Sequence, residues 1–166
     1  MQRRNVLMSG AALLAAAVGT NFFGPRRAAS AEDDYPISMT PDEWRRKLNA
    51  EQFAVLRQEA TERPFSSALN SNKKAGVYHC AGCDNAVYSS DAKFDSGTGW
   101  PSFWQPVNSE AVGSRTDYKL IYPRTEVHCA DCGGHLGHVF DDGPEPTGKR
   151  HCINGVALVF RRADGA

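Results

Sequence analysis

The chain has 166 residues with 19 Lys and Arg against 19 Asp and Glu, a formal net charge of zero. Four arginines and no acidic residue fall in positions 1–31, leaving 15 basic against 19 acidic side chains and a net charge of −4 over residues 32–166. A mildly acidic body lacks the basic face that nucleic acid or an anionic membrane needs. The 41% hydrophobic content and 15 glycines exclude a disordered tail and a collagen-like chain.

Residues 1–31 read as a targeting leader. Arg3-Arg4 open it, an Ala-rich moderately apolar stretch runs from Val6 to Val18, and Ala29-Ser30-Ala31 forms a small-x-small cleavage signal. The arginine pair and weak hydrophobicity resemble a bacterial twin-arginine leader, with cleavage expected near Ala31 and a periplasmic or otherwise exported product. Two alternatives are a helix of the folded domain, which Gly10, Gly19, Gly24 and Pro25 oppose, and an uncleaved anchor, for which the apolar stretch is short. Residues 32–38 read as an acidic, flexible arm, and residues 39–166 as one domain, long enough to bury a core without disulfides.

Thr40-Pro41-Asp42-Glu43 places a cap, a proline and an acid where a helix begins, predicting a short helix from Pro41 to about Leu48. Asn49-Ala50-Glu51-Gln52 repeats the signal and predicts a second helix to about Ala60, with Phe53, Leu56 and Ala60 on its buried face. Residues 65–75 read as loop. From Gly76 the pattern changes to short strands: Val77–Cys80, Ala86–Tyr88, Leu120–Tyr122, Thr125–Val127, His138–Phe140 and Val156–Phe160, separated by Gly, Asp and Pro turns. The expected class is mainly β and antiparallel, with a small N-terminal helical lobe.

Four of the five cysteines form two C-x-x-C pairs, Cys80/Cys83 and Cys129/Cys132, each followed by a turn-forming residue, Asp84 or Gly133. A knuckle of this spacing sets two thiolates on one side of an ion, and four thiolates make a closed, structural zinc site. The 45 residues between the pairs exceed a common zinc-ribbon interval, so a whole sheet must intervene. The competing reading, two redox dithiols, suits an oxidising compartment but lacks the usual βαβ context.

Cys152 is left over. It is a buried small hydrophobe, an intermolecular linker or a reactive thiol. Its neighbours favour reactivity. Arg150 and His151 are cations that would lower a thiol pKa, and Asn154 returns to the same strand face. His135 and His138 lie upstream at H-x-x-H spacing. With a four-cysteine site already present, they read as acid/base groups rather than metal ligands.

Several long runs resemble one family, the methionine-R-sulfoxide reductases of MsrB (SelR) type. They are Thr61–Ser66, Cys80–Cys83, Lys93–Phe103, Cys129–Pro144 and Arg150–Asn154, in one fixed order across residues 39–161. The resemblance implies two antiparallel β sheets, structural zinc on the paired cysteines, and a nucleophile at Cys152. The implied activity is reduction of protein-bound methionine-R-sulfoxide and, more weakly, of the free form, in repair of oxidised proteins. A thiolate suits attack on an electrophilic sulfoxide sulfur, and a histidine suits protonation of the departing oxygen. The resemblance gives the latter role to His138, supported by His135. Asn154 would hold the polar end and Arg150 would favour the thiolate. Trp100 and Phe103 would receive the S-methyl group.

Attack leaves a sulfenic acid on Cys152. Many members carry a resolving Cys in the Ser-Gly-Cys-Gly-Trp run, where this chain has Thr98. An external thiol or thioredoxin-like reductant is therefore expected, acting on a monomer without stable membrane association once the leader is gone. Two other readings fit parts of the pattern. A non-catalytic zinc-ribbon binding module would leave Cys152 without a task. A periplasmic disulfide oxidoreductase would need reducible C-x-x-C pairs without metal.

Overall fold

A computed structural model describes residues 35–120 and 122–163. The expected leader, its cleavage point and the first residues of the arm lie outside the described residues. Both helix starts form as the sequence predicts. Helix α1 (Pro41–Lys47) is closed by a capping box in which Thr40 and Glu43 bond reciprocally. Helix α2 (Ala50–Gln58) repeats the device with Asn49 and Gln52, and ends at Glu59 in the left-handed conformation, φ 54°. Val55 and Leu56 are the buried residues of α2, with Phe53 and Ala60 packed at the margin of the core. No helix among the described residues is long and apolar enough to cross a membrane.

The strands are β1 (Gly76–Cys80), β2 (Ala86–Ser89), β3 (Lys93–Phe94), β4 (Ser102–Phe103), β5 (Val112–Asp117), β6 (Arg124–Cys129), β7 (His135–Phe140), β8 (Arg150–Ile153) and β9 (Leu158–Arg162). They form a three-stranded sheet, β2-β1-β9, and a six-stranded sheet, β3-β4-β8-β7-β6-β5. Every pairing is antiparallel. The expected class therefore holds: mainly β, two antiparallel sheets and two short helices. One core joins both sheets and the helices. At its centre the Tyr88 ring stacks on Phe103 at 4.4 Å, while Tyr78 meets Phe103 edge-on at 5.0 Å.

Three expectations need correction. Leu120 and Tyr122 belong to no strand; they sit in the β5–β6 connection, 47% and 62% exposed, and Ile121 lies outside the described residues. Their apolar character finds no sheet to cover it. The strand is instead the polar stretch Val112–Asp117, an edge strand whose backbone pairs with β6 while its side chains stay largely in water. Val156 and Ala157 form a 3-10 turn (Gly155–Ala157) rather than the start of β9. Finally, the described end of the arm is docked. The Ile37 amide donates to the Asp131 carbonyl at 2.8 Å, and Ile37 and Met39 pack against the core.

Candidate functional site

The two C-x-x-C pairs fold into the same turn twice. After Cys80, the Asp84 amide donates to the Cys80 carbonyl at 2.8 Å; after Cys129, the Gly133 amide donates to the Cys129 carbonyl at 2.9 Å. The Cys80 amide likewise donates to Asn85 and the Cys129 amide to Gly134. Both turns close through a left-handed residue, Asp84 at φ 69° and Gly133 at φ 64°. Gly133 has a second constraint: a Cβ there would lie 2.2 Å from the Tyr35 ring.

The turns bring the four sulfurs within 4.8 Å of one another, so Cys80, Cys83, Cys129 and Cys132 can hold one metal ion. Cys80 and Cys132 sulfurs are 3.8 Å apart, and those of Cys83 and Cys129 3.4 Å. Tetrahedral thiolates bound at about 2.3 Å would be about 3.8 Å apart, so the donor set fits such an ion. Arg57 from α2 donates to the Cys132 sulfur at 3.1 Å and to its carbonyl at 2.8 Å, and lies 4.0 Å over the Trp44 ring. The helical lobe is thereby fastened to the metal-binding end.

The leftover cysteine lies on the six-stranded sheet. Strand register sets Ser102 on β4, Cys152 on β8, His138 on β7, Glu126 on β6 and Arg115 on β5 in one row across the sheet. Residues directly opposite on antiparallel strands have Cβ atoms about 5 Å apart. β7 and β8 approach closely here because position 137 is glycine; a Cβ would lie 2.0 Å from the Cys152 carbonyl oxygen. A small open pocket of about 120 Å³ sits over this row, lined by Thr61, Trp100, Arg124, Gly137, His138, Phe140, Cys152 and Asn154.

Each wall is held by specific contacts. His138 Nε2 lies 2.8 Å from Asp117 Oδ2, and Arg124 donates to the same oxygen at 2.6 Å. Burial lowers the His138 pKa below the ordinary histidine range, helped by Arg124 and His135 and opposed by Asp117. Asp117 is held well below the usual carboxylate range by the Lys119 amide first, then His138 and Arg124. His135 is buried beneath His138, their rings edge to face at 5.4 Å. Its Nδ1 lies 2.7 Å from Glu126 Oε1, and Arg115 pairs with the same carboxylate.

Asn154 is tied at both ends of its amide. Its oxygen accepts from the Glu62 amide at 3.0 Å, and its nitrogen donates one hydrogen to the Leu136 carbonyl at 3.0 Å. The Trp100 indole N–H donates to the Glu62 carbonyl at 3.1 Å, which fixes the ring at the pocket. Glu62 in turn accepts from the Gly155 and Val156 amides at 2.6 and 2.9 Å. Burial pushes the Cys152 thiol up; Thr98 and Arg150 pull it down, and Asp142 pushes it up further. Arg150 makes a two-pronged pair with Asp142 at 2.9 Å and lies 4.4 Å over the Phe140 ring.

The chain matches the family model described as the SelR domain over residues 48–162. It belongs to the SelR family. Its relatives include proteins named peptide methionine sulfoxide reductase MsrB. One from Methanosarcina barkeri is 53% identical over 125 residues, covering 75% of this chain and 88% of the relative. Another from Pseudomonas putida is 52% identical over 130 residues, covering 78% and 98%. A third, from Bradyrhizobium diazoefficiens, is 53% identical over 131 residues, covering 79% and 94%.

Against this SelR frame, Cys152, His138, Asn154 and Trp100 converge on one pocket, as the sequence reading expects. His135 and Arg150 stand beside it, His135 against the His138 ring and Arg150 on the strand of Cys152, whose thiol pKa it lowers. Phe103 does not belong there. It is 0% exposed and stacked on Tyr88 in the core, because it points to the opposite face of β4 from Ser102. Nor is His151 a cation beside the thiol: its Nδ1 lies 3.1 Å from the Tyr88 hydroxyl, and burial lowers its pKa to about 4. Sequence reasoning missed Asp117, Arg124, Glu126 and Glu62. The first three flank or lie in strands whose pairing no local motif shows, whereas Glu62 stood in a recognised run without any sign of its contacts.

Proposed function

We propose that this SelR chain reduces protein-bound methionine-R-sulfoxide to methionine by attack of Cys152, as a repair enzyme for oxidised proteins. The observation that carries the reading is the register that sets His138 opposite Cys152 at a pocket walled by Trp100 and Asn154. The neutral His138 imidazole takes the thiol proton, and the resulting imidazolium is stabilised by Asp117. The thiolate attacks the sulfoxide sulfur while His138 returns the proton to the oxygen. Asn154 has one amide hydrogen beyond the one given to Leu136, and that hydrogen serves the same oxygen. The flat face of Trp100 receives the S-methyl group. The net change moves one oxygen atom from the substrate sulfur to Cys152, giving methionine and a sulfenic acid. Two equivalents of an external thiol, or a thioredoxin-like dithiol, then restore Cys152 with release of water and a disulfide.

On this reading the four cysteines would hold zinc, with a structural task, since four sulfur donors would leave no position open to substrate. On the same reading the chain acts outside the cytoplasm, which the Arg3-Arg4 pair, the apolar stretch after it and Ala29-Ser30-Ala31 support; protein recovered from the periplasm should begin at Glu32, and an intact Met1 would overturn the export reading.

The deciding test offers the separate R and S epimers of a capped methionine sulfoxide to the metal-loaded enzyme with dithiothreitol. Turnover of the R epimer alone, abolished in Cys152→Ser at unchanged metal content, is the expected result. Full turnover in that variant would overturn the assignment.

A further inference from the structure

A line of three hydroxyls leads away from Cys152, and the reaction above does not use it. Thr98 Oγ1 lies 3.8 Å from Cys152 Sγ. Ser96 Oγ lies 2.8 Å from Thr98 Oγ1 and 2.7 Å from Ser102 Oγ. Ser102, fully buried and directly opposite Cys152 on β4, donates to the Trp100 carbonyl at 3.1 Å.

Proton counting fixes the direction of this line. A carbonyl only accepts, so the Ser102 proton is spent on Trp100. Ser96 must then donate to Ser102, and Thr98 to Ser96. Each hydroxyl has one proton, so Thr98 turns a lone pair toward the sulfur. That polarity suits a neutral thiol, which donates to Thr98, and opposes a thiolate. When Cys152 ionises the line has to turn round: Thr98 donates to the sulfur, Ser96 to Thr98 and Ser102 to Ser96. Only rotations are needed and no proton passes along the line. The Trp100 carbonyl loses its donor.

We propose that Thr98 is the hydroxyl that stabilises the Cys152 thiolate, and that Ser96 and Ser102 set how readily it turns to do so. This rests on the reading of Cys152 as the nucleophile. The position where the family resemblance leads one to expect a resolving cysteine thus holds a hydrogen-bond partner of the reacting sulfur. Charged groups act on Cys152 from two sides, Arg150 on its own strand and Asp142 in the β7–β8 connection, and His138 faces it from β7. From β4 the facing group is the uncharged Ser102. Thr98 and Arg150 therefore oppose burial and Asp142 between them.

The test is the pH dependence of Cys152 alkylation by iodoacetamide in the metal-loaded full chain, quantified on the Cys152 peptide by mass spectrometry. Thr98→Val keeps the bulk and removes the hydroxyl. Its alkylation midpoint should rise by about one pH unit, so labelling below the midpoint slows about ten-fold. Thr98→Ser should stay within about two-fold of the parent. Ser96→Ala should move the opposite way, labelling several-fold faster, because Thr98 can then face the sulfur without stripping the Trp100 carbonyl of its donor. A Thr98→Val profile that matches the parent overturns the proposal, as does Thr98→Ser shifted as far as Thr98→Val. A Ser96→Ala midpoint that stays or rises overturns the coupling along the line. Alkylation needs no sulfoxide, so failure here is distinct from failure of Cys152 in sulfoxide turnover.

Discussion

At the metal-binding end, two turns of identical spacing repeat the same pair of backbone hydrogen bonds, and each places its two sulfurs within four residues of chain. At the Cys152 end, the groups that meet are far apart in sequence. Thr98 and Cys152 are separated by 54 positions, Asp117 and His138 by 21, and Glu62 and Asn154 by 92. The first centre is a property of local turns brought together once. The second is built on strand register, which sets Ser102, Cys152, His138 and Glu126 in one row, with Glu62, Thr98, Trp100 and Asn154 brought to it by the connecting loops. The metal end should therefore carry stability and the sheet end activity, and variants should separate the two.

The largest effect should come from removing a metal ligand. A structural thiolate site contributes about 10–16 kcal/mol in small zinc domains, comparable with the whole stability of a domain. Cys129→Ser, or stripping the metal with a chelator, should lower the thermal midpoint by roughly 10 °C or more and take activity with it. Differential scanning calorimetry with metal analysis checks this. A metal-free chain as stable as the loaded one would break the comparison.

A smaller loss is expected from Asp117→Asn at the sheet end. Without the carboxylate, the His138 imidazolium loses its partner, and kcat should fall about 10- to 100-fold with the metal retained. Asp117 also carries a pH signature. Its folded pKa is depressed, so its stabilisation is present above its unfolded value of about 3.9 and is lost as pH falls through the folded one. Urea unfolding of the variant should therefore depend less on pH in the acid range than that of the parent. Equal pH dependence would remove Asp117 from the charge balance.

The smallest pair sharpens the boundary between core and pocket. Phe103→Leu should cost about 1–2 kcal/mol of stability and leave KM alone, because its ring packs on Tyr88 rather than substrate. Trp100→Leu should do the reverse, raising KM several-fold with little change in stability. Urea midpoints and steady-state kinetics on both variants decide it.

Much of this was legible in the sequence where the signal is short-range. Thr40 and Asn49 announced both helices because a cap needs only the next three residues. The cysteine spacing announced the metal end for the same reason. Residues 112–117 were illegible as a strand because an edge strand on a solvated face carries polar side chains with no hydrophobic alternation. Leu120 and Tyr122 misled in the opposite sense, since apolar character says nothing of whether a partner strand is within reach.

By itself the sequence determined the class of fold, the four metal-binding cysteines, the family and the identity of the odd thiol, all of which rest on local pattern or long contiguous runs. Only the tertiary structure decided which groups act on that thiol. It turned Phe103 into the core and His151 toward Tyr88, brought Asp117 and Arg124 to His138, and aligned Thr98, Ser96 and Ser102 beside the sulfur. For the residues on strands the physical reason is alternation; Ser96 and Thr98 are carried to the sulfur by the loop between β3 and β4. A side chain's face is fixed by the register of its strand, and register is settled by pairing across the sheet rather than by neighbours along the chain.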